Sequence, residues 1–318
     1  MLELLRILSD GEFHSGAEIG RTLGLTRAAV WKRMQNLQAR TGHGVESLPG
    51  KGYRLEREID LLDASRLQEL AGSECNLLLL DSIDSTNEHA KRLVREGSIV
   101  QLVVAEEQTS GKGRRGRAWQ SPYGSNLYLS LIWPVTEGMR QLEGLSLAVG
   151  LAVLRTIEAA GVADAGLKWP NDVLVGKQKI AGILLELMGD LTDRSYVVIG
   201  IGINVNMYKP VEVIDQPWTS IGQQMGGIAC RHGLFEKLYA NLQDVLDVQL
   251  GSGFGSLRKE WEARHLWQNK KVCLSSAASS VCGVVTGINE RGELGIQSTE
   301  GLHYFAGGEL SLRLADDS

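Results

Sequence analysis

The stretch GKGRRGRAW, Gly111 to Trp119, packs four basic residues and three glycines into its first seven positions. Arginines grip phosphate or carboxylate oxygens, and glycines let backbone N–H groups approach an anion closely. The stretch contains the G-x-G-x-x-G spacing of dinucleotide-binding turns, but such a turn must open a helix whose N-terminus takes the pyrophosphate. Here RAWQSPYGSN follows, and Ser121-Pro122 and Gly124 interrupt any helix before the next apolar run. A basic glycine-rich loop between two strands suits closure over a small ligand. A solvated basic loop is the alternative. Lys168, in KWPND, ends another apolar run beside Asn171 and Asp172. Taken alone it reads equally well as a strand-end lysine followed by an Asn-Asp turn. Ser85, Thr86 and Asn87 stand where a helix should begin, so capping and ligand binding compete for their side chains. The six histidines show no metal-ligand spacing, and no Ser-His-Asp or paired-carboxylate pattern is visible.

Bulk properties narrow the setting. With 318 residues, 43% hydrophobic and 22% charged, the chain has globular composition and room for two or three domains. The net charge of −5 excludes a general polyanion binder, but residues 1–57 carry +3 and the remainder −8. Nucleic-acid contact, if any, belongs to the N-terminal head. Cys75, Cys230, Cys273 and Cys282 have no C-x-x-C spacing. They read as free thiols in a reducing compartment. No signal peptide is apparent, and LSLAVGLAVL (Leu145–Leu154) is too short for a membrane span. A soluble, cytoplasmic protein without membrane contact is expected.

The elements around these residues fall into three units, predicted at 1–60, 61–268 and 269–318. In the first, Leu2, Leu4, Leu5 and Leu8 share a helical face. Ser15 caps GAEIGRTLG and Gly24 suits its end, while Thr26 caps the basic helix RAAVWKRMQNLQAR. Two helices across a tight turn, then the hairpin GVESLPGKGYRL, predict a winged helix-turn-helix. Thr26, Arg27 and Trp31 at the start of the second helix are positioned for base contacts, with Lys32 beside them and Lys51 at the wing tip. A small helical bundle that packs against protein is the alternative. In the second unit, strands and helices do not alternate strictly, which predicts an α+β mixed sheet with a buried helix at GLSLAVGLAVLRTIEAAG. AGLKWPNDVLVGKQKIAGILLEL reads as two strands joined at Gly-Lys-Gln. Five short strands in the last fifty residues predict an SH3-like barrel.

DSTN (Asp84–Asn87), GKGRRGRAW, SNLYLSL (Ser125–Leu131), LKWPNDV (Leu167–Val173), KIAGILLE (Lys179–Glu186) and GIGINVN (Gly200–Asn206) occur in that order. Together they resemble the biotin–protein ligases. With the head, the chain resembles the bifunctional form that is also the biotin operon repressor. The resemblance covers nearly the whole chain and implies a class II synthetase-like catalytic fold. One departure falls in the loop: the family has G-R-G-R-R-G-R, and Lys112 here replaces the first arginine, leaving one donor fork fewer.

The resemblance implies ATP, Mg²⁺ and biotin, with biotinyl-5′-AMP as intermediate and a lysine of the biotin carboxyl carrier protein of acetyl-CoA carboxylase as acceptor. Lys168 would bridge the biotin carboxylate and the α-phosphate, with Arg114 as its catalytic companion. Ser85, Thr86, Asn87, Gln108, Lys112 and Gly113 would contact biotin. Arg115, Arg117, Asn171, Asn204 and Trp218 would contact the nucleotide, Trp218 by stacking. Mg²⁺ would arrive with ATP, without a dedicated protein cage. The head would bind an inverted-repeat operator as part of a homodimer promoted by biotinyl-5′-AMP. Two rivals remain open at this point: a lipoate or octanoate ligase, whose combination of an Arg-Arg with a Gly-Gly-Gly loop is absent here, and a non-catalytic ligand-sensing regulator.

Overall fold

The computed structural model describes residues 2–315 except 42, 137, 190–194, 211, 277–279 and 309. The head begins with α1 (Leu2–Leu8), α2 (Gly16–Leu23) and α3 (Arg27–Thr41), followed by β1 (Val45–Leu48) and β2 (Gly52–Leu55). The Ser15 hydroxyl accepts from the Glu18 N–H at 3.1 Å, Gly24 ends α2 in the left-handed region, and Thr26 accepts from Ala29 N–H at 3.2 Å. β1 and β2 form the antiparallel wing. Leu4, Leu5, Leu8, Ile19, Val30, Met34 and Leu37 build the head's core; the side chain of Leu2 lies outside the described residues. Tyr123, from the segment just beyond the basic loop, is buried in that same core.

The body contains α4 (Ala64–Ala71), β3 (Leu77–Leu80), α5 (Thr86–Arg95), β4 (Leu102–Ala105), β5 (Leu127–Val135), α6 (Met139–Leu142) and α7 (Leu145–Ala159). It continues with β6 (Ala165–Lys168), β7 (Asp172–Val175), β8 (Gln178–Met188), β9 (Ser195–Ile203), α8 (Ile221–Met225), α9 (Arg231–Ser252) and α10 (Arg258–Ala263). The sheet order is β3-β4-β5-β9-β8-β7-β6, with β3 and β4 parallel and all other pairs antiparallel. The expected α+β mixed sheet is therefore present. α7 and α9 cover one face, and α5 lies on the other. α7 is apolar nearly all round because it sits between the sheet and α9.

The KWPND region departs from the two-strand expectation. The chain reverses between Lys168 and Asp172, so three strands replace two. Pro170 has no N–H to give to a ladder, which breaks the strand there.

β10 (Lys271–Ser275), β11 (Ser280–Ile288), β12 (Leu294–Ser298), β13 (Gly301–Phe305) and β14 (Ser311–Leu314) form an antiparallel sheet of order β13-β12-β11-β10-β14. Among the described residues no ladder joins β13 to β14, so the five strands do not close into the expected barrel. The expectation of four free thiols is also corrected. Cys273 and Cys282 are directly opposite in the β10–β11 register, with Cα atoms 4.1 Å apart, and are joined as a disulfide. Cross-strand pairing brought them together, and sequence spacing carried no sign of it. Cys75 and Cys230 are free.

A buried ion pair anchors the start of α9. The Arg231 guanidinium donates to Glu106 Oε2 at 2.6 Å, to the Asn126 carbonyl at 2.7 Å and to the Asp60 carbonyl at 2.7 Å. Glu106 accepts in turn from Leu62 N–H at 2.6 Å. The segment leaving the head is thus fixed to the end of β4, two residues before Gln108.

Candidate active site

Register places the chemistry on the α5 face of the sheet. Lys168 pairs with Asp172, Asp172 with Gly182, Gly182 with Gly202 and Gly202 with Tyr128, so these residues form one row across four strand boundaries. Residues directly opposite in a sheet share a face. The glycines keep the floor of that row low. A Cβ on Gly202 would stand 2.6 Å from the Trp119 ring, and one on Gly200 would collide with the Asn87 amide.

α5 supplies the wall. Ser85 is its N-cap, accepting from Glu88 N–H. The Thr86 N–H and hydroxyl both donate to Gln108 Oε1, at 2.9 and 3.1 Å. Asn87 Oδ1 accepts from the Ser130 hydroxyl at 2.6 Å, and its Nδ2 donates to Glu186 at 2.8 Å. Ser85, Thr86 and Asn87 are buried polar residues, and capping accounts for the first alone. Lys91 pairs with Glu88 and Glu186, and Lys112 reaches Glu88 from the basic loop at 2.7 Å.

The loop forms a small hairpin of its own. Trp119 N–H donates to the Gly111 carbonyl at 2.8 Å, and Gly113 N–H to the Arg117 carbonyl at 2.7 Å. Arg114 is half-buried. Its guanidinium donates to Asn171 Oδ1 at 2.9 Å and to the Gly307 carbonyl at 2.7 Å, with a further contact to the Gly308 carbonyl. It therefore clasps the loop to the β6–β7 turn and to the β13–β14 connection. Arg115 and Arg117 are exposed, and Arg115 holds a left-handed backbone at φ 59°.

Lys168 lies at the end of β6 with its ammonium 4.0 Å from Asp172. Burial pushes its pKa below the ordinary lysine value; Asp172 opposes that shift, and Lys179, Arg117 and Arg313 reinforce it. Lys179, to which the sequence reading gave no role, pairs with Asp172 at 2.7 Å and lies over the Trp119 ring at 5.3 Å. The only sequence signal for it was its place at the head of KIAGILLE. Asn204 acts in the structure as a buried amide, donating to the Thr219 carbonyl at 3.0 Å. The Trp218 segment is tied to the edge of β8, since Thr219 N–H donates to the Lys179 carbonyl at 3.0 Å. Asn171 holds the β6–β7 turn by donating to the Ile183 carbonyl at 2.8 Å. The row, the wall and the loop thus converge, while Asn204 is buried in structural hydrogen bonds and Trp218 borders β8 at Lys179. In the head, Thr26, Arg27, Trp31, Lys32 and Lys51 are all exposed.

This arrangement, a Lys168–Asp172 pair beside a glycine floor beneath a basic loop, accompanies a match of residues 79–204 to the biotin/lipoate A/B protein ligase family and of residues 1–54 to an HTH domain. The chain is 38% identical to the bifunctional ligase/repressor BirA of Salmonella typhimurium, covering 99% of this chain and 98% of that one. It is 37% identical to its Escherichia coli counterpart, with the same coverage. The biotin protein ligase from Aquifex aeolicus in complex with biotin and ATP superimposes with a TM-score of 0.66 at 29% identity, covering 76% of this chain and 99% of that one. The chain therefore belongs to the biotin–protein ligase family, in its bifunctional ligase/repressor form.

Proposed function

We infer that the protein activates biotin with ATP, transfers it to an acceptor lysine, and binds DNA as a repressor through its head. The observation that carries the ligase reading is the row Lys168–Asp172–Gly182–Gly202 on the side of the sheet that carries α5. Two anions must meet there, and charge must be stabilised as it develops at phosphorus. A biotin carboxylate oxygen attacks the α-phosphorus, the bond to the bridging oxygen breaks, and pyrophosphate leaves. The acceptor ε-amine then attacks the acyl carbon, AMP leaves, and the amine releases a proton.

Lys168 is the cation between carboxylate and α-phosphate. Thr86, Asn87 and Gln108 hold the polar end of biotin, and Arg114 keeps the loop closed over the intermediate. Mg²⁺ would be carried by the ATP phosphates: Asp172 is paired with Lys179 and the Asn171 amide oxygen with Arg114, so neither side chain is free to ligate it. The carrier domain of a biotin-dependent carboxylase is the acceptor, and a cytoplasmic setting follows from that substrate. No helix among the described residues is long and apolar enough to cross a membrane. We divide the chain near residues 60 and 268, and read the C-terminal sheet as an open form of an SH3-like barrel.

The exposed face of Arg27, Trp31 and Lys32, with Lys51 on the wing, suits major-groove and phosphate contacts. A small head of net charge +3 binds weakly alone, so a dimer on an inverted repeat, favoured by biotinyl-5′-AMP, completes the reading. Biotin-dependent ATP–pyrophosphate exchange, with lipoate as control, tests the first half. Exchange with lipoate alone would assign the site to the sibling ligases, and no exchange would leave a non-catalytic regulator. Equal operator affinity with and without the adenylate would defeat the corepressor half.

A further inference from the structure

Lys168 is largely buried, with 23% of its side chain exposed, yet among the described residues no carboxylate lies within hydrogen-bonding distance of its ammonium. Asp172 stands 4.0 Å away and engages Lys179 through its other oxygen at 2.7 Å. An aromatic face approaches the ammonium from elsewhere. The Lys168 nitrogen lies 4.8 Å from the centroid of the Trp267 ring, and Trp267 is only 9% exposed.

That ring is fixed by backbone. Leu167 N–H donates to the Arg264 carbonyl at 2.8 Å, and Leu266 N–H donates to the Leu167 carbonyl at 3.0 Å. The turn after α10 therefore runs alongside β6 as a short parallel partner, through the bridge between Leu167 and His265. Gly166 permits the approach: a Cβ there would stand 2.5 Å from Leu266 Cδ2. These contacts end one residue from Lys168 on one chain segment and one residue from Trp267 on the other.

We propose that Trp267 is a positioning residue for acyl activation, its indole face holding the Lys168 ammonium in place without neutralising it. The proposal rests on the role given to Lys168 above. A carboxylate at hydrogen-bond distance would also hold the lysine, but it would compete with the incoming biotin carboxylate and phosphate. A ring attracts the cation through its quadrupole and leaves the N–H donors free for the substrates. The ring also favours the charged form. In that it acts with Asp172, against burial and against Lys179, Arg117 and Arg313, the other charged groups that face Lys168.

The test is biotin-dependent ATP–pyrophosphate exchange from neutral pH to about pH 10, where no acceptor amine contributes to the profile. Trp267→Leu should lower exchange about 5- to 30-fold and move the alkaline limb down by up to about one pH unit. Trp267→Phe keeps a ring and should restore most of both. Site-specific replacement of Trp267 by tryptophans of increasing fluorine content keeps the shape while draining the ring's negative face. The limb should then step downward with each added fluorine, and this series decides the matter even if Trp267→Leu does not fold. A limb unmoved by fluorination, or equal losses in the Leu and Phe variants at unchanged pH dependence, would overturn the proposal. Lys168→Ala separates the two claims. If it retains exchange, the site reading itself falls; if it abolishes exchange while the fluorinated series is flat, only the role of Trp267 falls.

Discussion

Arg114→Ala removes the clasp between loop and body while keeping a backbone more restrained than glycine would be. The side chain makes two well-formed charge-assisted hydrogen bonds, to Asn171 at 2.9 Å and to the Gly307 carbonyl at 2.7 Å. Such bonds contribute about 1.5–3 kcal/mol each, and for a half-buried group the lower end applies, giving about 3 kcal/mol for the pair. Opening of the loop should become about 10²-fold more populated, and retention of the bound adenylate should shorten by a similar factor. The assay loads the protein with biotin and ATP, removes free nucleotide, and follows biotinyl-5′-AMP released over time. A bystander protein in the same tube should gain biotin on scattered lysines, because the free mixed anhydride acylates any amine it meets. Retention equal to the parent's, with a clean bystander and an unchanged melting temperature, would refute the clasp.

Glu106→Gln leaves the fully buried Arg231 without its charge partner and should cost about 3–5 kcal/mol in urea unfolding, much of it recovered when Arg231→Met is added. His265 is buried against Trp261 with neither ring nitrogen in good hydrogen-bond geometry, although Gln268 faces it. Burial depresses its pKa to about 4, so the fold holds it neutral; the related stability is complete above the unfolded value of 6.5 and falls away as pH drops from there toward 4. The loss should be about 3 kcal/mol over that window, and His265→Phe should flatten it in denaturation curves taken across the same pH range. In the head, Lys32→Ala and Lys51→Ala should each lower the slope of log affinity against log salt by about 1 without changing operator preference, as titrations at several salt concentrations would reveal.

What the sequence disclosed was mostly local physics. Ser15 and Thr26 cap helices as their types and positions require, since a cap needs only the next three residues. The loop's failure to open a long helix was legible from Ser121-Pro122 and Gly124. Register was not legible. Lys179 meets Asp172 only because β7 and β8 pair, and Cys273 meets Cys282 only because β10 and β11 pair. Arg231 and Glu106 are separated by more than a hundred residues, and neither carries a local mark of burial. Barrel closure likewise depends on whether the first and last strands of the order β13 to β14 find each other, a long-range matter that five short strands do not decide. Ser85, Thr86 and Asn87 fall between these cases: capping explained their types, and the hydrogen bonds of Thr86 and Asn87 to Gln108, Ser130 and Glu186 appeared only with the sheet beneath them.

The central claim is that the α5 face of this sheet activates biotin for transfer to a lysine. Its most direct test is the intact mass of a biotin carboxyl carrier domain after incubation with the protein, ATP, Mg²⁺ and biotin. The expected result is a gain of one biotinyl group on a single lysine, dependent on ATP and lost with Lys168→Ala. A carrier of unchanged mass, or one that gains a lipoyl group when lipoate replaces biotin and none with biotin itself, would contradict it.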